Sequence, residues 1–157
     1  PLHGGAPDRA LDALDEIVAA GGTGAAGEWA REQLAAGRRI MGFGHAVYRT
    51  VDPRSELLRE IAIELGGGLV ELAVDVEREV VAVLRQAHPD RPLYANVEFY
   101  AGVVMDRCDI PRDMFTPTFT VSRVVGWCGN VLEQAQSRRI IRPRATYVGP
   151  EVTGPAS

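Results

Sequence analysis

The apolar residues of this chain recur at helical spacing, and glycine or proline interrupts the pattern between one predicted helix and the next. Over residues 8–20 the apolar positions share one helical face, and the Gly21-Gly22 pair ends the helix. No segment of comparable length alternates with period two, so the sequence predicts an all-α fold. Further helices are predicted over 26–36, from Asp52, from Leu69 to the residue before His88, from Asn96, and over about 113–138.

Two helix starts carry capping signals. Asp52-Pro53 combines an N-cap residue with proline at the first helical position. Asn96 can cap a helix that carries Tyr100 and Arg107. In the helix after Asp52, apolar residues follow at helical spacing, namely Leu57, Leu58, Ile61 and Leu65.

Composition excludes several classes of function. The chain has 157 residues, of which 46% are hydrophobic and 24% charged, as is typical of a globular domain. Its formal net charge of −4 argues against a nucleic acid or an anionic membrane as a partner. All 17 basic residues are arginines, which excludes a Schiff-base lysine and a P-loop lysine.

The cysteines and the hydropathy pattern set further limits. Cys108 and Cys128 are not part of a CxxC motif, so no metal site is expected, and such sparse thiols favour a reducing cytoplasm. No apolar run approaches the roughly 18 residues of a transmembrane helix. The first residues also lack the pattern of a signal peptide, so no membrane association is expected.

Two of the three histidines lie in glycine-rich turns, in Leu2-His3-Gly4-Gly5 and Gly42-Phe43-Gly44-His45. Glycine lets the backbone approach a ligand closely, so that a neighbouring histidine can be presented to a pocket. His3 and His45 are therefore candidate catalytic residues. The alternative is that both are ordinary loop histidines.

Three arginines and one glutamate are further candidates. Arg49 and Arg54 flank a predicted helix start, where backbone N–H groups and the helix dipole favour anions; the alternative is that both are solvated surface cations. Arg123 interrupts an apolar stretch, and either a salt bridge or a bound anion would offset the cost of that charge. Glu98 lies among apolar and aromatic residues, which suit a general base, or it simply complements the helix dipole.

Taken together, six segments resemble, in order and spacing, the C-terminal part of the citrate synthase family, from Pro1 to about Pro150. Each motif alone is weak, whereas six in register are highly specific. The segments are PLHGGA at 1–6, GFGHAVYR at 42–49, DPR at 52–54, YANVEFYAG at 94–102, FT and SRVVGW between 115 and 127, and RPRATY at 142–147.

The resemblance implies an enzyme that joins an acyl-CoA, usually acetyl-CoA, to the keto carbon of oxaloacetate and then hydrolyses the thioester. Coenzyme A would enter as a thioester substrate, with no permanently bound cofactor and no metal. By resemblance, His3 would stabilise the enolate at the thioester oxygen. His45 would polarise and protonate the oxaloacetate keto group, and Glu98 would be the carboxylate base.

The family's anion contacts fall on arginines of this chain. By resemblance, Arg54 and Arg123 would hold substrate carboxylates, and Arg49 would meet the phosphates of coenzyme A. Arg142 would reach the active site of the partner subunit in a homodimer.

The resemblance also implies a division of the chain. Residues 1–105 would form a small helical domain that binds acyl-CoA, and residues 106–157 would be a helix and arm that pack on a large domain. The chain would then be a C-terminal fragment of a tricarboxylic acid cycle transferase. In the isolated chain, residues 115–131 would expose an apolar face.

Two departures from the family pattern occur: the family has aspartate at the position of Glu98, and its members commonly carry Ala-His where this chain has Gly129-Asn130, a difference to which no mechanistic role is assigned. The extra methylene moves the carboxylate by roughly 1 Å, and a displacement of that size can cost on the order of 10²-fold in rate. Two alternatives therefore stay open. One is a 2-methylcitrate synthase that uses propionyl-CoA, and the other is a non-catalytic relative that binds CoA.

Overall fold

The computed structural model describes residues 5–137, 139–144, 146, 148 and 149 of the chain. Across these residues, helices follow one another without a strand, which confirms the all-α fold. No helix in this part of the chain is long and apolar enough to span a membrane. The α-helices are α1 (Ala6–Ala19), α2 (Ala26–Ala35), α3 (Pro53–Leu65), α4 (Gly68–Ala87), α5 (Val97–Arg107) and α6 (Phe115–Ser137).

The predicted helix caps are confirmed. The Asp52 side chain accepts a hydrogen bond from the backbone N–H of Arg54 at 3.0 Å, and Pro53 takes the first position of α3. The Asn96 side chain accepts the backbone N–H of Glu98 at 3.0 Å and so caps α5. Each cap satisfies an N–H group that the first helical turn leaves without a partner in the helix.

Helix α5 lies at the centre of the core. It packs against α1 on one side and α3 on the other, while α2 packs against α4. Its Phe99, Tyr100 and Val103 side chains are at most 1% exposed. The first turn of α5 is therefore held in place by burial on both sides. The other helices contribute mainly aliphatic side chains to the core, among them Leu11, Leu14, Ile17, Val76 and Val80.

The apolar residues spaced along α3 form only part of its inner face: Leu58 is half-buried against the core, whereas others are exposed. The buried residues of this helix are Ser55 and Ala62, whereas Leu57 and Leu65 are 58% and 43% exposed. Small side chains let two helices approach closely, and α3 uses them where it packs on α5.

The chain divides into two units, one up to Arg123 and the other from Val124. In the first unit, α6 begins with the buried Phe115 and continues with Val121, which is 71% exposed. In the second unit, the exposed apolar side chains include Val125, Trp127, Val131 and Leu132. Residues 115–131 thus expose apolar side chains as expected, whereas Phe115 is buried and Phe119 is half-buried. Exposed apolar side chains in such number are typical of an interaction surface.

Gly102 provides a test of the packing between α1 and α5. A Cβ atom at this position would lie 2.7 Å from the backbone oxygen of Pro7 and 3.3 Å from Cγ of Leu11. We expect Gly102→Ala to lower the free energy of unfolding by about 1–3 kcal/mol, the usual cost of overpacking. Urea unfolding followed by circular dichroism measures the effect.

Gly126→Ala is the matched control, because it also places alanine inside a helix but nothing lies within 4 Å of its Cβ. This variant should be as stable as the wild type or more stable by up to about 1 kcal/mol, since alanine has a higher helix propensity than glycine. Equal effects of the two substitutions would contradict the predicted close contact.

Candidate active site

A short loop before His45 is held against the residues that precede α5. The backbone N–H of Gly44 donates to the carbonyl of Tyr94, and the N–H of Asn96 donates to the carbonyl of Gly42, both at 2.8 Å. The side-chain amide of Asn96 donates to the carbonyl of Gly44, also at 2.8 Å. These bonds bring His45 to the N-terminal end of α5.

Glycine is required in this loop for two physical reasons. Gly42 and Gly44 have φ angles of +86° and +81°, in the left-handed region that other residues avoid. In addition, a Cβ atom on Gly42 would lie 3.0 Å from the side chain of Phe99 on α5. The absence of a side chain at Gly42 thus lets the loop before His45 lie directly on α5.

The ring of His45 is oriented by its own turn. Its Nδ1 accepts the backbone N–H groups of Val47 at 3.0 Å and of Tyr48 at 3.1 Å. An imidazole nitrogen that accepts hydrogen bonds carries no proton, so the proton of the neutral ring is on Nε2. The Tyr48 ring also packs against the imidazole, with the ring centroids 4.6 Å apart.

Arg54 lies beside the other ring nitrogen of His45. Its Nη2 atom is 3.2 Å from His45 Nε2, and the tautomer of the ring decides which of the two atoms donates in this contact. With the proton on Nε2 both atoms are donors, which suits a ligand oxygen that accepts from both. The guanidinium also lies over the Tyr48 ring, 5.5 Å from its centroid.

Asp52 holds the Arg54 side chain in this position. Its Oδ1 accepts the backbone N–H and the Nε–H of Arg54, both at 3.0 Å, and its Oδ2 accepts the Nη2–H at 2.8 Å. Oδ2 also accepts the backbone N–H of Val97 at 3.2 Å. The Asp52 carboxylate is 2% exposed and thus joins the N-termini of α3 and α5.

These contacts shift the pKa values of both partners. Burial alone would raise the pKa of Asp52, but the hydrogen bonds from Arg54 and Val97 and the charge of Arg54 lower it below the ordinary 3.8. The side-chain hydrogen bond to Asp52 is the main cause that raises the pKa of Arg54, and the charge of Glu98 adds to it. Glu98 therefore lies within electrostatic range of Arg54.

Glu98 is a buried carboxylate in the first turn of α5, with only 7% of its surface exposed. The structure thus places His45 and Arg54 beside the first turn of α5, which carries Glu98, because Asp52 bonds both to Arg54 and to the N–H of Val97. A neutral imidazole donor, a cation and a carboxylate in one cluster can polarise a carbonyl group and remove a proton beside it.

Two cavities meet at His45. One has a volume of about 410 Å³, and His45, Tyr48, Arg49 and Asn96 are among the residues that line it. The other, of about 660 Å³, is lined by His45 and by cationic and apolar residues. Both volumes are within the usual range for small-molecule sites. The arginines along the larger cavity are Arg38, Arg39 and Arg91.

The remaining candidates are not all placed in this cluster. His3 lies outside the described residues. The Arg123 guanidinium lies over the Phe119 ring of α6, 5.4 Å from its centroid. Arg142 belongs to the second unit and is exposed. In the part of the chain that the structure describes, no three His, Cys, Asp or Glu residues are grouped so that they could hold a metal ion.

Sequence reasoning missed two residues of the cluster. Asp52 was expected only as a helix cap, yet it also binds the Arg54 side chain and the first N–H of α5. Tyr48 was not singled out, although it contacts both His45 and Arg54. The dipeptide Asp52-Pro53 indicates only the start of a helix, because the second helix that Asp52 contacts begins 45 residues later.

Comparisons with known proteins agree on one family. Residues 1–144 match the family model described as citrate synthase, C-terminal domain. The chain is 45% identical over 157 residues to putative citrate synthase 2 of Mycobacterium tuberculosis, which covers all of this chain and 41% of that protein. It is 39% identical over 154 residues to the citrate synthase of Synechocystis, covering 95% of this chain and 37% of that protein. The chain thus spans about two fifths of the length of these relatives.

Solved structures lead to the same family. The crystal structure of citrate synthase from Thermotoga maritima superimposes with a TM-score of 0.79 at 34% identity, over all of this chain and 42% of that one. Citrate synthase from the archaeon Thermoplasma acidophilum, in a ternary complex with carboxymethyl coenzyme A and oxaloacetate, also has a TM-score of 0.79, at 31% identity. That match covers all of this chain and 42% of that one.

The Asp52 cluster generates a pH-dependent prediction. Asp52→Asn removes a buried charge that accepts four hydrogen bonds. At neutral pH it should lower the free energy of unfolding by about 1–3 kcal/mol. Because the folded-state pKa of Asp52 is lowered, its stabilisation is complete above 3.8 and is lost as the pH falls further. The difference between wild type and variant should therefore shrink below that pH, as measured by urea unfolding.

Asp75→Asn is the control. Asp75 forms an ion pair with Arg78 at 3.0 Å, but its side chain is 42% exposed, so the substitution should cost less than about 1 kcal/mol. A difference for Asp52→Asn that does not change with pH would contradict the role of its charge.

Proposed function

The chain belongs to the citrate synthase family, and we propose that it holds the acyl-CoA side of an active site that condenses acetyl-CoA with oxaloacetate. The products are citrate and coenzyme A. The proximity of His45, Arg54 and Glu98 carries this proposal, because each supplies one requirement of that reaction.

The first requirement is a base for a very weak carbon acid. The buried Glu98 carboxylate takes a proton from the methyl group of the acyl-CoA, and His3 donates a hydrogen bond to the thioester oxygen, where the negative charge of the enolate develops. The role of Glu98 is supported by its burial in the first turn of α5. The role of His3 rests on the family resemblance.

The second requirement is an activated keto group. The Nε2–H of His45 donates to the keto oxygen of oxaloacetate and transfers its proton as the carbon–carbon bond forms. Two backbone N–H groups keep Nδ1 unprotonated, so the neutral ring presents its proton on the side of Arg54. Water then hydrolyses the thioester, which releases the coenzyme A thiol.

The arginines bind the anionic groups of the substrates. Arg54 and Arg123 hold carboxylates of oxaloacetate, and Arg49 meets the coenzyme A phosphates. The side chain of Arg54 is 43% exposed despite its bonds to Asp52, so it is accessible to a carboxylate. Arg49 lines the smaller cavity beside His45, and three further arginines line the larger one, which supports a polyanionic ligand there.

The chain spans about two fifths of the length of its relatives. We propose residues 1–105 as the acyl-CoA domain and residues 106–157 as a segment that packs on a further helical domain. The exposed Val121 and Trp127 side chains support such a partner domain. Arg142 would act in the partner subunit of a homodimer. The homodimer, the place in the tricarboxylic acid cycle and the cytoplasmic location stay predictions from the sequence.

Thiol release tests the function. The chain is assayed alone and as a fusion in which it follows the N-terminal part of the Mycobacterium tuberculosis relative. The fusion is needed for the comparison because the chain spans only 41% of that protein. With acetyl-CoA and oxaloacetate the fusion should release free thiol, whereas the chain alone should release little. Glu98→Gln should lower the rate by about 10²–10⁴-fold, the usual contribution of a general base. Glu79→Gln, at an exposed ion pair with Arg78, should leave it unchanged.

Other outcomes identify the alternatives. Faster release with propionyl-CoA than with acetyl-CoA would favour a 2-methylcitrate synthase. Glu98 stands where the family has aspartate, so Glu98→Asp distinguishes a slow enzyme from a non-catalytic relative. If Glu98→Asp produces or raises a rate of thiol release, the protein is an enzyme. If neither the wild-type form nor Glu98→Asp releases thiol from any short acyl-CoA, the enzyme is ruled out.

A further inference from the structure

A polar network around the Tyr100 hydroxyl is not used by the chemistry described above. The hydroxyl of Tyr100 donates to Oε2 of Glu77 at 2.5 Å, and the Nε–H of Arg59 donates to the same oxygen at 3.1 Å. Tyr100 is fully buried, and Glu77 and Arg59 are partly exposed. The network therefore joins α5, α4 and α3, each through one side chain.

The Tyr100 hydroxyl is the donor in its bond to Glu77. Burial, together with the hydrogen bond to Glu77 and the charge of Glu77, raises the pKa of Tyr100 far above its ordinary value. The phenol is therefore protonated at neutral pH. The Arg59 guanidinium has no acceptor and is always charged, so it too acts only as a donor in the network.

The network is the second polar connection between α3 and α5. The first is the bond from the backbone N–H of Val97 to Asp52, at the start of both helices. The second attaches α5 at Tyr100, three residues later, which is about one helical turn. Glu98 lies between these two attachment points. Two separate attachments fix both the position and the rotation of the first turn of α5 relative to α3.

We infer that Tyr100 is a positioning residue: through Glu77 and Arg59 it fixes the first turn of α5, and with it the Glu98 carboxylate, relative to Arg54 on α3. That this placement matters for catalysis rests on the function proposed above. The placement itself can be measured in the chain without any reaction.

Amide hydrogen exchange in the full chain, followed by NMR, tests the placement. Tyr100→Phe removes only the hydroxyl and leaves the ring in the core. We expect exchange at the backbone N–H groups of Val97 and Glu98, which bond to Asp52 and Asn96, to become at least about tenfold faster relative to the rest of α5.

Val103→Ala is the matched control, since it removes buried volume from the same helix outside the network. It should speed exchange along α5 evenly, without a particular effect at Val97 and Glu98. A second pair of variants serves if Tyr100→Phe does not fold. Glu77→Gln keeps an oxygen that accepts from Tyr100, so it should retain more of the wild-type protection than Glu77→Ala.

In the fusion that releases thiol, Tyr100→Phe should lower kcat about tenfold and change both KM values less than twofold, because a displaced base slows proton removal without weakening binding. A purely structural role would lower stability and leave kcat per folded molecule unchanged. Unchanged exchange at Val97 and Glu98 overturns the inference, as does faster exchange with an unchanged kcat. If even the wild-type fusion releases no thiol, the proposed function fails, and hydrogen exchange alone decides whether Tyr100 positions Glu98.

Discussion

The carboxylate of Asp52 is the interaction on which both the fold and the site depend. A buried charge is costly unless it is fully hydrogen-bonded, and four N–H donors, three from Arg54 and one from Val97, surround this one. The same bonds start α3, attach it to α5 and direct the Arg54 guanidinium at His45. A change at Asp52 therefore cannot alter the site without also loosening the packing of two helices.

The Nδ1 side of the His45 ring is oriented by backbone groups. Its turn supplies two N–H donors to Nδ1, and the loop before it is fixed to Asn96 by backbone and side-chain bonds. Backbone donors in a short turn have little freedom to move, so the ring keeps one tautomer. Glycine at position 42 is what lets this loop lie against α5, since any Cβ there would meet Phe99.

The helices could be predicted from the sequence because caps and apolar spacing are local signals. Asp52 and Asn96 mark helix starts whatever the rest of the chain does. The two fully buried residues of α3, Ser55 and Ala62, could not be recognised from the sequence, because small or polar residues do not stand out in an apolar pattern. The bond from Val97 to Asp52 and the bond from Tyr100 to Glu77 span 45 and 23 residues, and no local spacing records such pairs. That His45 and Glu98 belong to one site could be predicted only from the family resemblance.

The attachments at the start of α5 limit where the Glu98 carboxylate can lie. Asn96 caps α5, Asp52 binds its first N–H and Tyr100 attaches its first turn, so the helix cannot retreat to make room for the extra methylene. Glu98 is only 7% exposed, and this burial also limits the rotamers that its side chain can adopt. The Glu98 carboxylate therefore extends roughly 1 Å farther into the site than an aspartate carboxylate would, and the opposite side of the site must leave room for it. That side is the His45 loop, which hydrogen bonds attach to Tyr94 and Asn96, the residues just before α5.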